Sequence, residues 1–389
     1  MVNILFVTYY DFSSNSAIQI HAFANQLVKF GHDCIIAVPN NKDSSYEVIG
    51  GDILYTPIDF PRLFRDKYLF RDGHGPDIIH AWTPREVVRK VCVPLVEKYH
   101  CKLVIHLEDN EEHVIANYFH NTIQALKSYS RADITALTPE RLSHLFFYRD
   151  FLDMADGITL IMDTLSEFVP PAKDYTVIWP GVDRPRFNPS QVDTNLKNAL
   201  GIEEGTLVIC YTGNVHRTNY DEVQSLYQAL ALLNIEGFPT KLIRTGIDHV
   251  PFPEDNLKWI CEYSINLGFV PHGMIPRILG IADILVQPGK IDNYNKYRLP
   301  SKLPEFFSMK KPVILPKVNI GRFIRDRKEG LLLNQGTAME IAEKIKIILA
   351  DAALAGTMSQ YAGEFAAREF NIELNSRKLE SFYRNILEN

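Results

Sequence analysis

Short apolar runs alternate with helix-periodic segments along the whole chain, and the alternation lapses once, between Gly181 and Gly205, before restarting. Alternation of this kind selects a parallel, doubly wound sheet, because a parallel strand needs a crossover, usually helical, to bring the chain back. In the first half the strand candidates are 3–10 (NILFVTYY), 34–38, 77–81, 102–107, 157–161 and 176–179. Between the first two, Ile20, Phe23, Ala24, Leu27 and Val28 fall at helical spacing, with Ser16 and Gln19 as a capping box and Gly31 as the stop. Thr83, Pro84 and Glu86 mark another helix start, and a long helix is predicted over about 139–153, with Pro139 in its first turn. The second half offers strands at 207–212, 241–245, around 266–270, 283–288 and 312–316, with helices from Asn219 and from Ser301. From Thr337 onward the pattern is helical.

A chain of 389 residues is too long for one ordinary core, so we expect two domains, over 1–190 and 200–371, each an α/β unit. In open parallel sheets ligands settle outside the carboxyl ends of the strands, where helix N-termini point; two such sheets facing each other would line one cleft. The net charge of −6 argues against a dedicated nucleic-acid binder, which presents a basic face. Five cysteines are scattered among apolar neighbours without a Cys-x-x-Cys, and no His/Cys cluster has zinc spacing, so no metal site is expected. The N-terminus runs into VNILFVTYY without a charged leader, and no apolar run approaches the roughly 20 residues of a membrane span. The expected compartment is the cytosol. One segment, 61–71 (PRLFRDKYLFR), interleaves arginines with aromatics; it reads either as a surface helix packing its aromatics inward or as a peripheral contact with the inner face of a membrane.

Chemistry-bearing residues gather at three predicted strand ends. After 283–288 a polar loop carries Lys290, Asn295, Lys296, Tyr297 and Arg298 into a helix start with Ser301, Lys302 and Glu305. A diphosphate there would meet cations and a helix N-terminus, with charge-assisted bonds worth about 1.5–3 kcal/mol each. Glu305 suits a ribose diol through its paired acceptors, although a first-turn acid is also favoured by the helix dipole. After 207–212 comes TGNVHRTNYDE, where Asn219 and Glu222 form a second capping-box pattern. Its donor-side candidates are Gly213, Asn214, His216 and Arg217, the last equally readable as an exposed arginine. After 102–107 comes EDNEEH, whose Glu108 and Asp109 could accept a proton from an attacking hydroxyl, unless the four acids Glu108, Asp109, Glu111 and Glu112 form only a solvated loop. Ser16, in a turn that lacks a G-x-G-x-x-G, and His80, read at a strand end, complete the acceptor-side candidates.

The run RLPSKLPEFFSMKKPVIL resembles the donor-binding stretch of retaining GT-B glycosyltransferases of the family 4 type, through Pro300, Lys302, Glu305, Pro312 and Val313. NILFVTYY, FGHDCIIAV, PDIIHAW, IWPGVDRPRFNP, the NIGRFIRDRKEGLLL ending and the terminal SFYRNIL follow in the order of that architecture. The resemblance implies two facing Rossmann-like domains, an acceptor-side one first and a donor domain second, with a closing helix over about 372–389 that packs back on the first. It implies a UDP- or GDP-type nucleotide sugar as co-substrate, no other cofactor, and a glycan, lipid-linked or small-molecule acceptor. Glu305 then holds the nucleotide ribose, and GFVPHG (268–273) borders the base. Two positions depart from the pattern: Tyr297 stands where many members place a sugar-contacting glutamate, with Asn295, Tyr297 or Asp292 as replacements, and Asn214 stands where a phosphate arginine is usual. The implied catalytic candidates are Asp109, Glu108 and Tyr297. Arg217 and Lys302 would assist the leaving diphosphate, and the absence of any Asp-x-Asp points away from a metal bridge. Two other readings share the layout: a nucleotide-sugar 2-epimerase, and a binding subunit with degenerate chemistry.

Overall fold

The computed structural model describes residues 1–48, 52–66, 69–189 and 193–388. By contacts the chain divides into two compact units, Met1–Gly181 with Asn371–Asn389, and Val182–Phe370.

The first unit is built on a parallel sheet of order β3-β2-β1-β4-β5-β6-β7. Its strands are β1 (Asn3–Thr8), β2 (Asp33–Val38), β3 (Thr56–Asp59), β4 (Ile78–Trp82), β5 (Lys102–Leu107), β6 (Gly157–Leu160) and β7 (Tyr175–Val177). β1, β2 and β4 are buried along their whole length, which is why they read as continuous apolar runs. On one face the helix Asn15–Lys29 packs Ile20, Phe23, Ala24 and Leu27 against the sheet, and the C-terminal helix Ile372–Glu388 adds Leu379, Phe382, Tyr383 and Ile386 to the same core.

The second unit has a parallel sheet of order β10-β9-β8-β11-β12-β13. Its strands are β8 (Leu207–Thr212), β9 (Thr240–Thr245), β10 (Ser264–Asn266), β11 (Ile284–Val286), β12 (Val313–Pro316) and β13 (Leu331–Leu333). Val223, Leu226, Tyr227, Leu230 and Leu233 of the helix Tyr220–Ile235 meet Ile341, Ile345 and Ile348 of the helix Ala338–Ala350 in its core. In each sheet the strand order reverses once, between β1 and β4 and between β8 and β11. These are the switch points at which neighbouring loops part and leave a crevice.

Several local expectations need correcting. Residues 139–153 do not form one helix: a helix ends at Leu137, and the next runs Phe147–Met154. Pro139 acts as a stop here, holding Thr138 extended. The following turn is committed elsewhere, with Glu140 and Leu142 carbonyls accepting from the amides of Val87 and Glu86. The strand expected around 266–270 lies earlier, at Ser264–Asn266, because Gly268 turns the chain at a φ of 64°. The helix expected from Ser301 begins at Leu303 and runs only to Ser308. Neither capping box forms as read. Ser14, not Ser16, caps the first helix, accepting from the Ala17 amide, while Asn219 makes no side-chain cap bond.

In the 61–71 segment Arg62 and Arg65 pair with Asp66, and Phe70 is buried while Phe64 is half exposed. Lys67 and Tyr68 lie outside the described residues. Among the described residues no helix is long and apolar enough to cross a membrane.

Candidate active site

In the second unit the switch point brings together Gly213, at the end of β8, Gln287, at the end of β11, and Lys302, from the turn ahead of the helix Leu303–Ser308. The Lys302 ammonium donates to Gln287 Oε1 at 3.1 Å and lies 4.3 Å from the centre of the Tyr211 ring. It also rests on Gly213, where an added Cβ would come within 2.9 Å of Nζ. Gly213 has a φ of 140°, so the turn needs glycine for its backbone as well as for the lysine. Burial, reinforced by repulsion from Arg298, lowers the Lys302 pKa to about 7, against the pull of Glu222 and Glu305. Its hydrogen-bond partner is an amide, so the ammonium keeps most of its capacity for an anion.

Beside it sits a network that the sequence did not disclose. Asn295 Nδ2 donates to Glu222 Oε1 at 2.5 Å, and Arg298 faces Glu222 Oε2 at 3.4 Å while donating to Asn295 Oδ1 at 2.8 Å and to the Tyr294 hydroxyl at 2.8 Å. The Glu222 pKa is raised by burial, with Arg298 opposing. Glu222 is therefore an inward acid that organises the 290–298 loop and not the outer half of a capping box. Asn319 joins the network by donating to the Asn295 carbonyl at 3.1 Å.

The other residues expected on this side take varied positions. Glu305 lies in the first turn of Leu303–Ser308 and accepts from His272 Nε2 at 2.7 Å. Tyr297 is buried, and its hydroxyl accepts from Lys296. Ser301 is half-buried in the turn before the helix. Asn214 turns its Oδ1 to the Ile247 amide at 2.8 Å, fixing the loop after β9. His216 stacks on His249 at 4.5 Å, its pKa lowered by burial and by His249. Arg217 is exposed. Asn219 bridges the loop from within, accepting from the His216 amide and donating to the Asn214 carbonyl.

In the first unit Glu108 follows β5 and is gripped from two sides, by Ser16 Oγ at 2.5 Å and Trp82 Nε1 at 2.7 Å. Burial raises its pKa to about 7, although both hydrogen bonds favour the carboxylate. Ser16 is thus a ligand of Glu108. Asp109 faces Arg85 at 3.4 Å, and the Arg85 guanidinium lies 3.8 Å over the Tyr9 ring. The acids do not form a solvated loop: Glu111 and Glu112 open the helix Glu111–Phe119, where Ser143 donates to Glu111, and Tyr148 and Arg149 donate to Glu112.

His80 is corrected from a strand end to the middle of β4. It is fully buried, bonded to the Tyr383 hydroxyl at 2.6 Å and to Thr159 Oγ1 at 2.9 Å, and burial lowers its pKa to about 3. Thr159 also meets His106 Nδ1 at 2.8 Å. These contacts tie the last helix to the sheet and make His80 a core residue.

Sequence reasoning missed Gln287, Tyr211 and Trp82, and gave His272 no role beyond its place in the 268–273 segment. The first three sit at or next to a strand end, and that position was the available signal.

The family model described as "Glycosyl transferases group 1" matches residues 206–351, a span that holds Gly213, Gln287, Lys302 and Glu305. The chain carries a group 1 glycosyl transferase domain. With it the protein is a transferase, and its two α/β units have the GT-B fold. A search of curated proteins by sequence finds no match. Among solved structures the fold is shared with Anabaena HepE in complex with UDP and glucose, at 15% identity and a TM-score of 0.70, covering 99% of this chain and 100% of that one. Sucrose-phosphate synthase from Thermosynechococcus elongatus shares it at 15% identity and a TM-score of 0.69, over 100% of both chains. A putative UDP-N-acetylglucosamine 2-epimerase from Listeria monocytogenes has a lower TM-score of 0.57, at 11% identity, with 98% and 96% covered. At these identities the likeness is one of fold.

Proposed function

We propose that this glycosyltransferase takes its sugar from a UDP- or GDP-type nucleotide sugar and transfers it, with retained anomeric configuration, to a hydroxyl of a glycan, lipid-linked or small-molecule acceptor. The observation that carries the reading is Lys302: an ammonium pushed toward neutrality by burial, partnered by an amide, and seated on the glycine turn at a sheet's switch point. A diphosphate there gains a charge-assisted bond and restores the lysine's charge, so leaving-group stabilisation comes from a side chain. Glu305, one turn on, takes the ribose hydroxyls. The HepE complexes with UDP and with UDP-glucose support this choice of donor. Retention rests on the resemblance of the Pro300–Val313 motif to the retaining family.

On the acceptor side Glu108 is the group suited to accept a proton near neutral pH, since its pKa is raised to about 7, and Asp109 is held by Arg85 to bind hydroxyls. In this reading no step runs through a metal, and transfer persists in EDTA. Glu305→Ala should weaken binding of the preferred nucleoside diphosphate by about tenfold or more, the loss expected for charge-assisted bonds. Unchanged affinity and turnover in that variant would remove the donor-site assignment. The epimerase reading is checked in the same preparation: an isomerised nucleotide sugar formed without acceptor would replace transfer with epimerisation.

A further inference from the structure

The carboxylate assigned to the ribose is not free to choose its direction. Glu305 Oε1 accepts from His272 Nε2 at 2.7 Å, across 33 positions of sequence. A carboxylate only accepts, so the histidine must carry its proton on Nε2. His272 opens the short turn His272–Met274 that follows Pro271, and its ring lies 5.5 Å from that of Phe187, which walls one side. Both side chains keep some exposure, 23% for His272 and 17% for Glu305, so the pair sits at the surface of the site and not in the core. A glutamate has three rotatable bonds, and a short helix alone leaves its head group unfixed. One anchored oxygen fixes the plane of the other.

We propose that His272 is the positioning residue of the ribose carboxylate: by holding Oε1 it aims Oε2 at the sugar diol, and so sets the preference of this site for ribonucleotides over 2′-deoxyribonucleotides. The inference rests on the donor-site reading above and adds to it a residue from the segment between β10 and β11. Its physical basis is pre-organisation. A carboxylate already oriented loses less side-chain freedom on binding and makes shorter, better aligned bonds to two hydroxyls.

The test is a comparison of UDP with 2′-deoxy-UDP, and of GDP with 2′-deoxy-GDP, binding to the full chain by calorimetry. The variants are wild type, His272→Ala and His272→Gln, the last keeping a donor near the position of Nε2. The wild type should favour the ribonucleotide of its preferred base by about tenfold, the worth of a hydrogen bond to a charged group. His272→Ala should compress that ratio to within about threefold of unity while leaving the deoxynucleotide affinity nearly unchanged, and His272→Gln should restore part of it. In turnover assays KM for the donor rises and kcat changes little. A merely structural role would weaken both nucleotides alike, and that result overturns the proposal. So does an unchanged ratio, or a ribonucleotide bound more tightly by His272→Ala, which would make the histidine a competitor for the carboxylate. A wild-type chain that binds neither UDP nor GDP removes the donor-site reading and this inference with it; discrimination retained in His272→Ala but lost in Glu305→Ala removes the inference alone.

Discussion

Replacing Lys302 by methionine should stabilise the unliganded protein while destroying its affinity for nucleotide. Methionine keeps the length and apolar contacts of the stem and removes the ammonium. The fall of the pKa from 10.5 to about 7, at 1.36 kcal/mol per pH unit, puts a ceiling of about 5 kcal/mol on the cost of holding this charge in the folded state. Lys302 keeps some solvent contact, which reduces the expected gain for Lys302→Met to about 2–3 kcal/mol. The pH dependence follows. Below pH 7 the amine is protonated in folded and unfolded chains alike, and the folded state carries the whole cost. From about pH 7 to 10.5 the folded amine is neutral while the unfolded one is still charged. The unfolded chain then binds more protons, so wild-type stability climbs with pH. Urea unfolding at pH 6 and pH 9 should therefore show Lys302→Met ahead by about 2–3 kcal/mol at the lower pH, with the lead narrowed by at least about 1 kcal/mol at the higher. Nucleoside diphosphate affinity should drop by about 10- to 100-fold. Parallel stability profiles for the two proteins, or a destabilised variant with unchanged affinity, would refute the account of Lys302 as a buried charge held for an anion.

Two further variants have defined outcomes. In Glu108→Gln the limb of the rate profile that rises through about pH 7 should vanish, because the raised carboxyl no longer titrates. Unfolding should report the same group: wild-type stability falls between pH 4.5 and about 7, where the folded chain binds the extra proton, and Glu108→Gln should lack that slope. Gly213→Ala places a Cβ in a left-handed turn and against the Lys302 ammonium. It should cost about 1–3 kcal/mol in thermal or urea unfolding and lower nucleotide affinity in parallel; a fully stable, fully binding alanine variant would show that the close approach is dispensable.

The strands were legible where both faces are buried, because burial on two sides writes a continuous apolar run, as in β1, β5 and β8. β3 was not: it is an edge strand, TPID, in which only Ile58 is buried, and it carries a proline. β13 is three leucines, too short to separate from a helical run. Pro139 illustrates a local ambiguity, since proline suits the first turn of one helix and the end of another, and only the hydrogen bonds from the Glu86 and Val87 amides decide. The candidate site was legible as a set of strand ends and not as a set of contacts. Glu222 carried a capping-box signature, yet its partners are 73 and 76 positions away. Trp82 and Glu108 meet because β4 and β5 are neighbours, a pairing that no residue in either strand announces.

The two departures from the resembling family's pattern are opposite in charge. On that resemblance Tyr297 stands in place of a carboxylate in the loop after β11 and Asn214 in place of a guanidinium in the loop after β8, so the two changes offset each other in charge. Next to the glycine turn stand Lys302 with its amide partner and Arg298 matched by Glu222. An unmatched arginine beside Lys302 would lower the lysine's pKa beyond what Arg298 already does and would leave less ammonium at neutral pH. The asparagine at 214 therefore spares Lys302 that added repulsion. The lost glutamate has no equally simple replacement. Asn295 spends both ends of its amide, on Glu222 and the Lys290 carbonyl and on Arg298, and Tyr297 is buried against Lys296. Asp292 accepts at Oδ1 from the Asn295 backbone N–H. Of the three residues named for the sugar contact, Asp292 is then the one that could serve without breaking the network that holds the loop in place.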